Sequence, residues 1–334
     1  MNLPHKIVER LKILWHSLQN AMQNKQIRQV VYLGIVLISM AFIAYAIKTN
    51  WAQLKSQEWH INAIYAIMAI ILYPLGMFPA AAAWHWLLRA FNTKKPFLLN
   101  LRVYALSSLP KHIPGLVWYV TSRTLLYEEY GVSANVVLGA TATETAMLAL
   151  SGFISALLIF SLQSDLPSQF SVLRYLSPLS LVALVLLFVW APGGTRLLDK
   201  LVKRFRKDAQ TLQLQRSTLF VCLGWMFIAW TGGGTLLWIL IRAITPIGWE
   251  LLPLMIGIWG AAGAVSLSIG IGIQGLGLRE VTLAVLLSLI ISPITAIVVA
   301  VAFRLVLTIG EFLWVFLISI FIRDKQTVQK SQSG

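Results

Sequence analysis

The chain has 334 residues, of which 58% are hydrophobic and 12% charged, and its formal net charge is +15. A soluble domain carries about 25% charged residues, so this composition, with a mean hydropathy of +0.76, excludes an ordinary soluble enzyme and predicts an all-α, polytopic membrane protein. The one sizeable polar stretch, 191–216, is too short to bury a core of its own, so any function is expected to be exercised within or at the membrane.

Residues 1–28 form a basic cytoplasmic segment with Lys6, Arg10, Lys12, Lys25 and Arg28. Within it, Leu3, Ile7, Leu11, Leu14 and Leu18 share one helical face. That pattern suits an amphipathic helix on the inner leaflet, and equally a plain cytoplasmic extension. The first apolar run starts near residue 29, after this long basic stretch, which does not read as a cleavable signal peptide. Full spans of about 20 apolar residues or more are expected at about 29–47, 61–88, 133–161, 171–190, 217–241 and 294–322. The tail, 323–334, is basic and expected in the cytoplasm.

Two apolar regions do not read as clean spans. Residues 97–127 are interrupted by Pro110, Lys111, His112, Pro114 and Gly115, and residues 252–291 by Gly270, Gly272, Gly275 and Gly277. Proline removes a backbone donor and glycine weakens a helix, so each region should break near its middle. A broken segment survives at membrane depth only where protein or water satisfies its backbone. Each is therefore read as a re-entrant hairpin. Six full spans and two hairpins place the four basic stretches (1–28, 89–102, 191–216 and the tail) on the cytoplasmic side, as the positive-inside rule requires. Both termini are then cytoplasmic, in an inner or plasma membrane. The halves, about 29–161 and 171–322, have the same element order in opposite orientations, an inverted-topology repeat in an eight-span-like bundle. Eight full spans, with 252–270 and 276–291 crossing as a pair, satisfy the same charge count.

Ionisable side chains inside apolar sequence mark functional candidates, because a charge at the centre of a span costs roughly 2.5–3.5 kcal/mol on insertion scales. Glu144, Arg304 and Glu311 lie well inside spans, and are expected to form a central polar gate. Arg304 and Glu311 are two turns apart on one helix face. Aligning Gly115 with Gly275 puts Glu144 on Arg304, so pseudosymmetry is expected to bring these two together. An ion pair that only holds helices together is the alternative. Broken helices also expose N–H groups that favour anions. Lys111, His112, Pro114, Gly115 and Arg123 at the first tip, and Gly275, Gly277, Arg279 and Glu280 at the second, are the candidate headgroup-binding residues. A phosphate-bearing lipid is the expected ligand. Interface anchoring is the competing explanation for Lys111 and Arg123.

Other features are bland. Trp51, Trp59, Trp190 and Trp249 read as interface anchors, and Trp84, Trp86, Trp225, Trp230 and Trp238 as packing or lipid-facing residues. Gly232, Gly233 and Gly234 are read as a close helix contact. The single cysteine, Cys222, forms no internal disulfide. The histidines His5, His16, His60, His85 and His112 show no metal-ligand spacing, and there is no P-loop. No catalytic residue, metal or cofactor is expected, and no nucleic-acid recognition module is visible.

The run Lys111-His112-Ile113-Pro114-Gly115-Leu116-Val117-Trp118, followed by Ser122-Arg123, Gly131-Val132-Ser133 and Glu144, resembles the lysylphosphatidylglycerol synthase transmembrane region, a flippase-like family. The run Gly275-Leu276-Gly277-Leu278-Arg279-Glu280, followed by Leu283 and Leu286-Leu287, resembles its second signature. Gln274 departs from that signature, which more often has a small residue at this place. The resemblance covers roughly 30–322 and implies one flippase-like transmembrane domain, 29–322, that moves lipids between leaflets. Two-part members carry a further membrane region and a soluble aminoacyl-transferase domain. That soluble domain is absent from this sequence, so aminoacyl-lipid synthesis is not carried over. The expected activity is transport of a phospholipid or a polyprenyl-phosphate lipid, not enzymatic catalysis. A non-transporting scaffold for an envelope synthase or glycosyltransferase partner is the alternative, ahead of a membrane lipid-phosphate enzyme.

Overall fold

In the computed structural model the protein is described over residues 61–112, 116–163, 168–170, 175–176, 178–183, 216–269 and 277–322, with Lys48 and Trp59. The expected spans at 29–47 and 171–190 fall largely outside the described residues, as do the amphipathic segment and the tail. Every regular element described is helical.

Helix α1, Ala63–Ala90, has 28 residues, about 42 Å at 1.5 Å per residue and enough to cross a bilayer. Asn62 caps it by accepting from the Ile64 N–H at 3.1 Å. Two shorter helices follow, α2 over Phe97–Ser108 (12 residues) and α3 over Leu116–Glu128 (13 residues). Each is about 18–20 Å long, too short to cross a core of about 30 Å. Between them Leu109–His112 forms a 3-10 turn, so the chain breaks at the predicted Pro-Gly segment. Helix α4, Ala134–Leu162, is a full 29 residues. The turn into it needs a left-handed residue, and Gly131 supplies φ of 71°. That geometry lets the N–H groups of Gly131 and Val132 cap the end of α3.

Four more helices follow. Helix α5 spans Arg216–Ile244 and helix α6 spans Leu252–Ile269. Helix α7 is short, Leu278–Leu287, and helix α8 spans Pro293–Phe321. Pro293 at the head of α8 occupies a position whose N–H has no helical partner, and Ser292 caps it. Among the described residues, five helices are long and apolar enough to cross a membrane: Ala63–Ala90, Ala134–Leu162, Phe220–Ile244, Trp249–Ser268 and Pro293–Phe321. Four match expected spans. The fifth comes from the region read as a hairpin, so its first limb has the length of a whole crossing while α7, at 10 residues, does not. Gly257, Gly260 and Gly263 let α6 pack tightly: added Cβ atoms would meet the Phe160 ring, the Gly152 carbonyl and the Trp230 ring.

Helix α1 packs most extensively against α5, and α4 against α6. The N–H of Asn62 donates to Ala243 O at 2.8 Å, so α1 begins where α5 ends and the two run antiparallel. They cross at Gly76 and Gly232, where a Cβ on Gly232 would sit 3.4 Å from the Gly76 Cα. Gly234 abuts the Ile256 backbone, its Cβ position 2.3 Å from the Ile256 Cα. The glycine triplet is thus a close helix contact, as the sequence suggested. Trp249 is exposed and stacks on Trp238 with ring centroids 4.1 Å apart, an arrangement suited to the membrane interface.

Candidate functional site: a polar cavity inside the bundle

A cavity of about 280 Å³ lies among all eight helices, α1 to α8, with Leu148 the lining residue from α4. Its lining includes Arg123, Arg279, Glu280, Arg304 and Glu311, with Tyr73, Tyr104, Tyr119, Trp230 and Trp259. Five of the charged residues picked out from the sequence therefore meet in one space.

Arg123 anchors the first side. It projects from α3 and is fully buried. Its Nη1 donates to Glu144 Oε2 at 2.6 Å, and its Nε to Ser107 Oγ at 3.1 Å. The guanidinium lies 4.1 Å from the Trp84 ring, 4.4 Å from Tyr119 and 4.7 Å from Tyr104. Cation–π contacts of this kind gain strength when desolvated. Its Nη2 has no hydrogen-bond partner among the described residues. Behind the cage runs a directed chain. Trp84 Nε1 donates to Tyr127 OH at 2.8 Å, and Tyr127 OH donates to Asn100 Oδ1 at 3.0 Å. Asn100 Nδ2 lies 2.7 Å from His85 Nδ1. This chain fixes the Trp84 face against Arg123, since buried polar groups are satisfied in only one arrangement.

The second side is built on the start of α7. Gly277, with φ of 90°, turns the chain into the helix, and its N–H donates to Glu280 Oε2 at 2.9 Å. The other Glu280 oxygen accepts from Arg304 on α8. Arg279 lies over the Trp259 ring at 5.0 Å, and its Nε has no partner among the described residues. Trp259 is held edge-on by Trp230 and Phe303, and Trp230 donates to Ser151 Oγ at 3.1 Å. Glu311, 1% exposed, follows Gly310, whose missing side chain lets Tyr73 approach α8.

Two expectations change. Glu144 and Arg304 do not pair with each other. Each is paired within its own half, to the short helix that precedes it, because that neighbour supplies the opposite charge at contact distance. Glu144 stands behind Arg123 and outside the cavity lining, whereas Glu280, Arg304 and Glu311 belong to that lining. Trp84 and Trp230, read as packing residues, shape the site. The aromatic cage was not foreseen. A hint lay in Trp84, Tyr104 and Tyr119 falling on helices flanking a buried arginine. Lys111 and His112 lie in the 3-10 turn, with side chains outside the description, and Pro114, Gly115 and Gly275 lie outside the described residues. Among the described residues no group of His, Cys, Asp and Glu could hold a metal ion.

The chain matches the family described as "Lysylphosphatidylglycerol synthase TM region" over residues 31–314. It belongs to the lysylphosphatidylglycerol synthase transmembrane-region family. No curated protein and no solved structure matches it. Membership in this family, with the five apolar helices, makes the chain a multi-pass membrane protein in lipid-related processes. The family match reaches from before α1 to Trp314 in α8, so it takes in every charged side chain of the cavity.

Proposed function

We propose that this chain is a flippase-like transporter of the inner membrane that carries a phosphate-bearing lipid between leaflets through the central cavity, with both termini cytoplasmic. One observation carries the reading: two arginines, Arg123 and Arg279, line the same cavity within the bundle, and each keeps a guanidinium nitrogen without a hydrogen-bond partner among the described residues. Buried guanidinium groups left without an acceptor are costly, and phosphate oxygens are their natural partners. The reacting groups of an enzyme are not needed for such a task; binding and passage are enough.

An inverted repeat of two re-entrant halves supplies the motion. Its support is the element order, long-short-short-long against long-long-short-long, which agrees at three of four elements, and the antiparallel crossing of the two leading helices at Gly76 and Gly232. The contacts also correspond: α4 with α6 is answered by α2 with α8, and α1 with α8 by α5 with α4. The ion pairs correspond with their signs exchanged. In one half the base is on the short helix and the acid on the following long helix, and in the other half the reverse. Rocking of one half against the other about the α1–α5 crossing would then expose the cavity to either leaflet. Lys111 and the glycine tips join the headgroup site in this reading.

The test is reconstitution in vesicles with trace fluorescent phospholipid or polyprenyl phosphate. Wild type is expected to move label between leaflets, and Arg279→Gln to slow it while eluting as a folded protein. A scaffold for a synthase or glycosyltransferase predicts no movement of any lipid, with Arg304→Ala and Glu144→Ala leaving the partner's activity intact.

A further inference from the structure

The chain of hydrogen bonds behind Arg123 ends on a histidine, and its direction can be read. Asn100 Nδ2 faces two groups, His85 Nδ1 at 2.7 Å and the Lys95 carbonyl at 3.4 Å. A backbone carbonyl only accepts, so the amide presents its NH2 to these two and its Oδ1 to Tyr127. His85 Nδ1 is then an acceptor, and the neutral ring carries its proton on Nε2. The imidazole lone pair is therefore the last acceptor of a line that starts at the Trp84 N–H. Trp84, Tyr127 and Asn100 are all fully buried, so none of them can turn to water instead.

We propose that His85 is a positioning residue for Arg123: its Nδ1 lone pair, relayed by Asn100 and Tyr127, holds the Trp84 ring against the guanidinium, and a proton on Nδ1 releases it. A doubly protonated ring sets an N–H against the Asn100 NH2. Phe97 and Trp86 stand edge-on to the imidazole, with centroids at 5.3 and 6.3 Å, and hinder it from swinging aside. The amide turns over instead. That takes Oδ1 away from Tyr127, which then accepts from both Trp84 and Asn100 while its own proton is left buried without an acceptor, an unfavourable state. Displacing Tyr127 relieves it and carries along the Trp84 ring bonded to it. Trp84 is the nearest of the three rings around Arg123, at 4.1 Å.

The proton has a route to His85. The residue is only partly buried and lies just over one turn before α1 ends at Ala90, beside the basic connection that the transport reading places in the cytoplasm. The ionisable groups described on the elements around it are Arg89 on α1, Lys94 and Lys95 in the connection, Arg102 on α2, Tyr127 on α3 and Cys222 on α5, whose thiol is bonded to the Ala83 carbonyl. The effect of His85 on lipid movement rests on the transport reading above. Its effect on Trp84 does not.

The experiment compares wild type, His85→Asn and His85→Phe, each as the full chain and each checked by size exclusion. An asparagine Oδ1 reaches the place of Nδ1 and accepts at any pH, whereas phenylalanine supplies no acceptor. The first readout is the Trp84 indole N–H resonance in protein isotopically labelled at the indole nitrogens, identified by its loss in Trp84→Phe. In wild type it is expected to shift between about pH 8 and about pH 5, the interval in which histidine titrates. It should stay fixed in His85→Asn, and His85→Phe should resemble wild type in acid at both values. The second readout is movement of fluorescent phosphatidylethanolamine, phosphatidylglycerol and polyprenyl phosphate in phosphatidylcholine vesicles at the same two pH values. Wild type is expected to slow about three-fold or more in acid, the net worth of about one hydrogen bond. His85→Phe should be slow at both values and His85→Asn at neither. A Trp84 resonance unmoved by pH in wild type and unaltered in His85→Phe overturns the proposal whether or not lipid moves. Lipid movement with the same pH dependence in wild type and His85→Asn overturns it as well. A Trp84 resonance that behaves as expected, with no lipid moved by wild type, upholds the positioning chain and overturns the transport reading.

Discussion

Replacing Arg123 by methionine removes a cation from beside a carboxylate that has almost no contact with solvent: the side chains of Arg123 and Glu144 are 0% and 4% exposed. Breaking a buried ion pair from one side costs about 3–5 kcal/mol, because the remaining charge is left without a partner. At about 2 °C per kcal/mol for a large domain, Arg123→Met should lower the apparent Tm in detergent by roughly 6–10 °C. Replacing both partners, Arg123→Met with Glu144→Leu, removes the uncompensated charge. Apolar substitution of a whole buried pair is often neutral or stabilising, so the double variant should return to within about 2 °C of wild type. Lipid movement should nevertheless stay lost, because the guanidinium lining the cavity has gone. Thermal unfolding followed by size-exclusion fluorescence, together with reconstituted transport, gives both readouts. A double variant as unstable as the single one would refute the treatment of the pair as one electrostatic unit. A stable double variant that transports at the wild-type rate would refute the role of Arg123 at the phosphate.

Further outcomes follow from the same geometry. Gly234→Ala places a Cβ 2.3 Å from the Ile256 Cα, a backbone collision between α5 and α6 that should cost about 1–3 kcal/mol. Gly224→Ala on the same helix meets nothing within 4 Å and should raise the apparent Tm slightly or leave it unchanged. Asn100→Ala breaks the chain from Trp84 to His85 and leaves the Tyr127 hydroxyl without its acceptor, a loss of about 1–3 kcal/mol readable as a lower Tm. Glu280→Gln keeps an acceptor for the Gly277 N–H but loses the Arg304 ion pair. Faster hydrogen exchange at the first turn of α7 and slower transport are expected, with little change in exchange across α4.

The apolar spans were legible because about 20 residues of unbroken hydropathy leave few alternatives. Pro110 and Pro114 marked the first break for an equally local reason. In the second broken region α6 runs unbroken to Ile269, immediately before the glycine-rich stretch 270–277, and Gly257, Gly260 and Gly263 within it pack against α4 and Trp230. Glu144, Arg304 and Glu311 could be singled out from their cost in lipid, but the partners of Glu144 and Arg304 could not. Alignment of the two halves identifies equivalent positions, and equivalent positions need not touch. Contact instead follows the nearest short helix, which carries Arg123 in one half and Glu280 in the other. The aromatic cage was hidden for a related reason: tryptophan and tyrosine in apolar helices have the same pattern whether they face lipid, a neighbour or a guanidinium.

The path itself is open to a direct chemical block. With Cys222→Ser removing the only native cysteine, a thiol can be placed by Thr308→Cys in the cavity lining or by Ile309→Cys on the lipid-facing side of the same helix. Each is modified in vesicles with a charged methanethiosulfonate, and lipid movement is then measured. Passage through the cavity predicts that complete modification at position 308 stops movement, whereas modification at position 309 leaves it near the unmodified rate. Undiminished movement after complete modification at position 308 would contradict the cavity as the route.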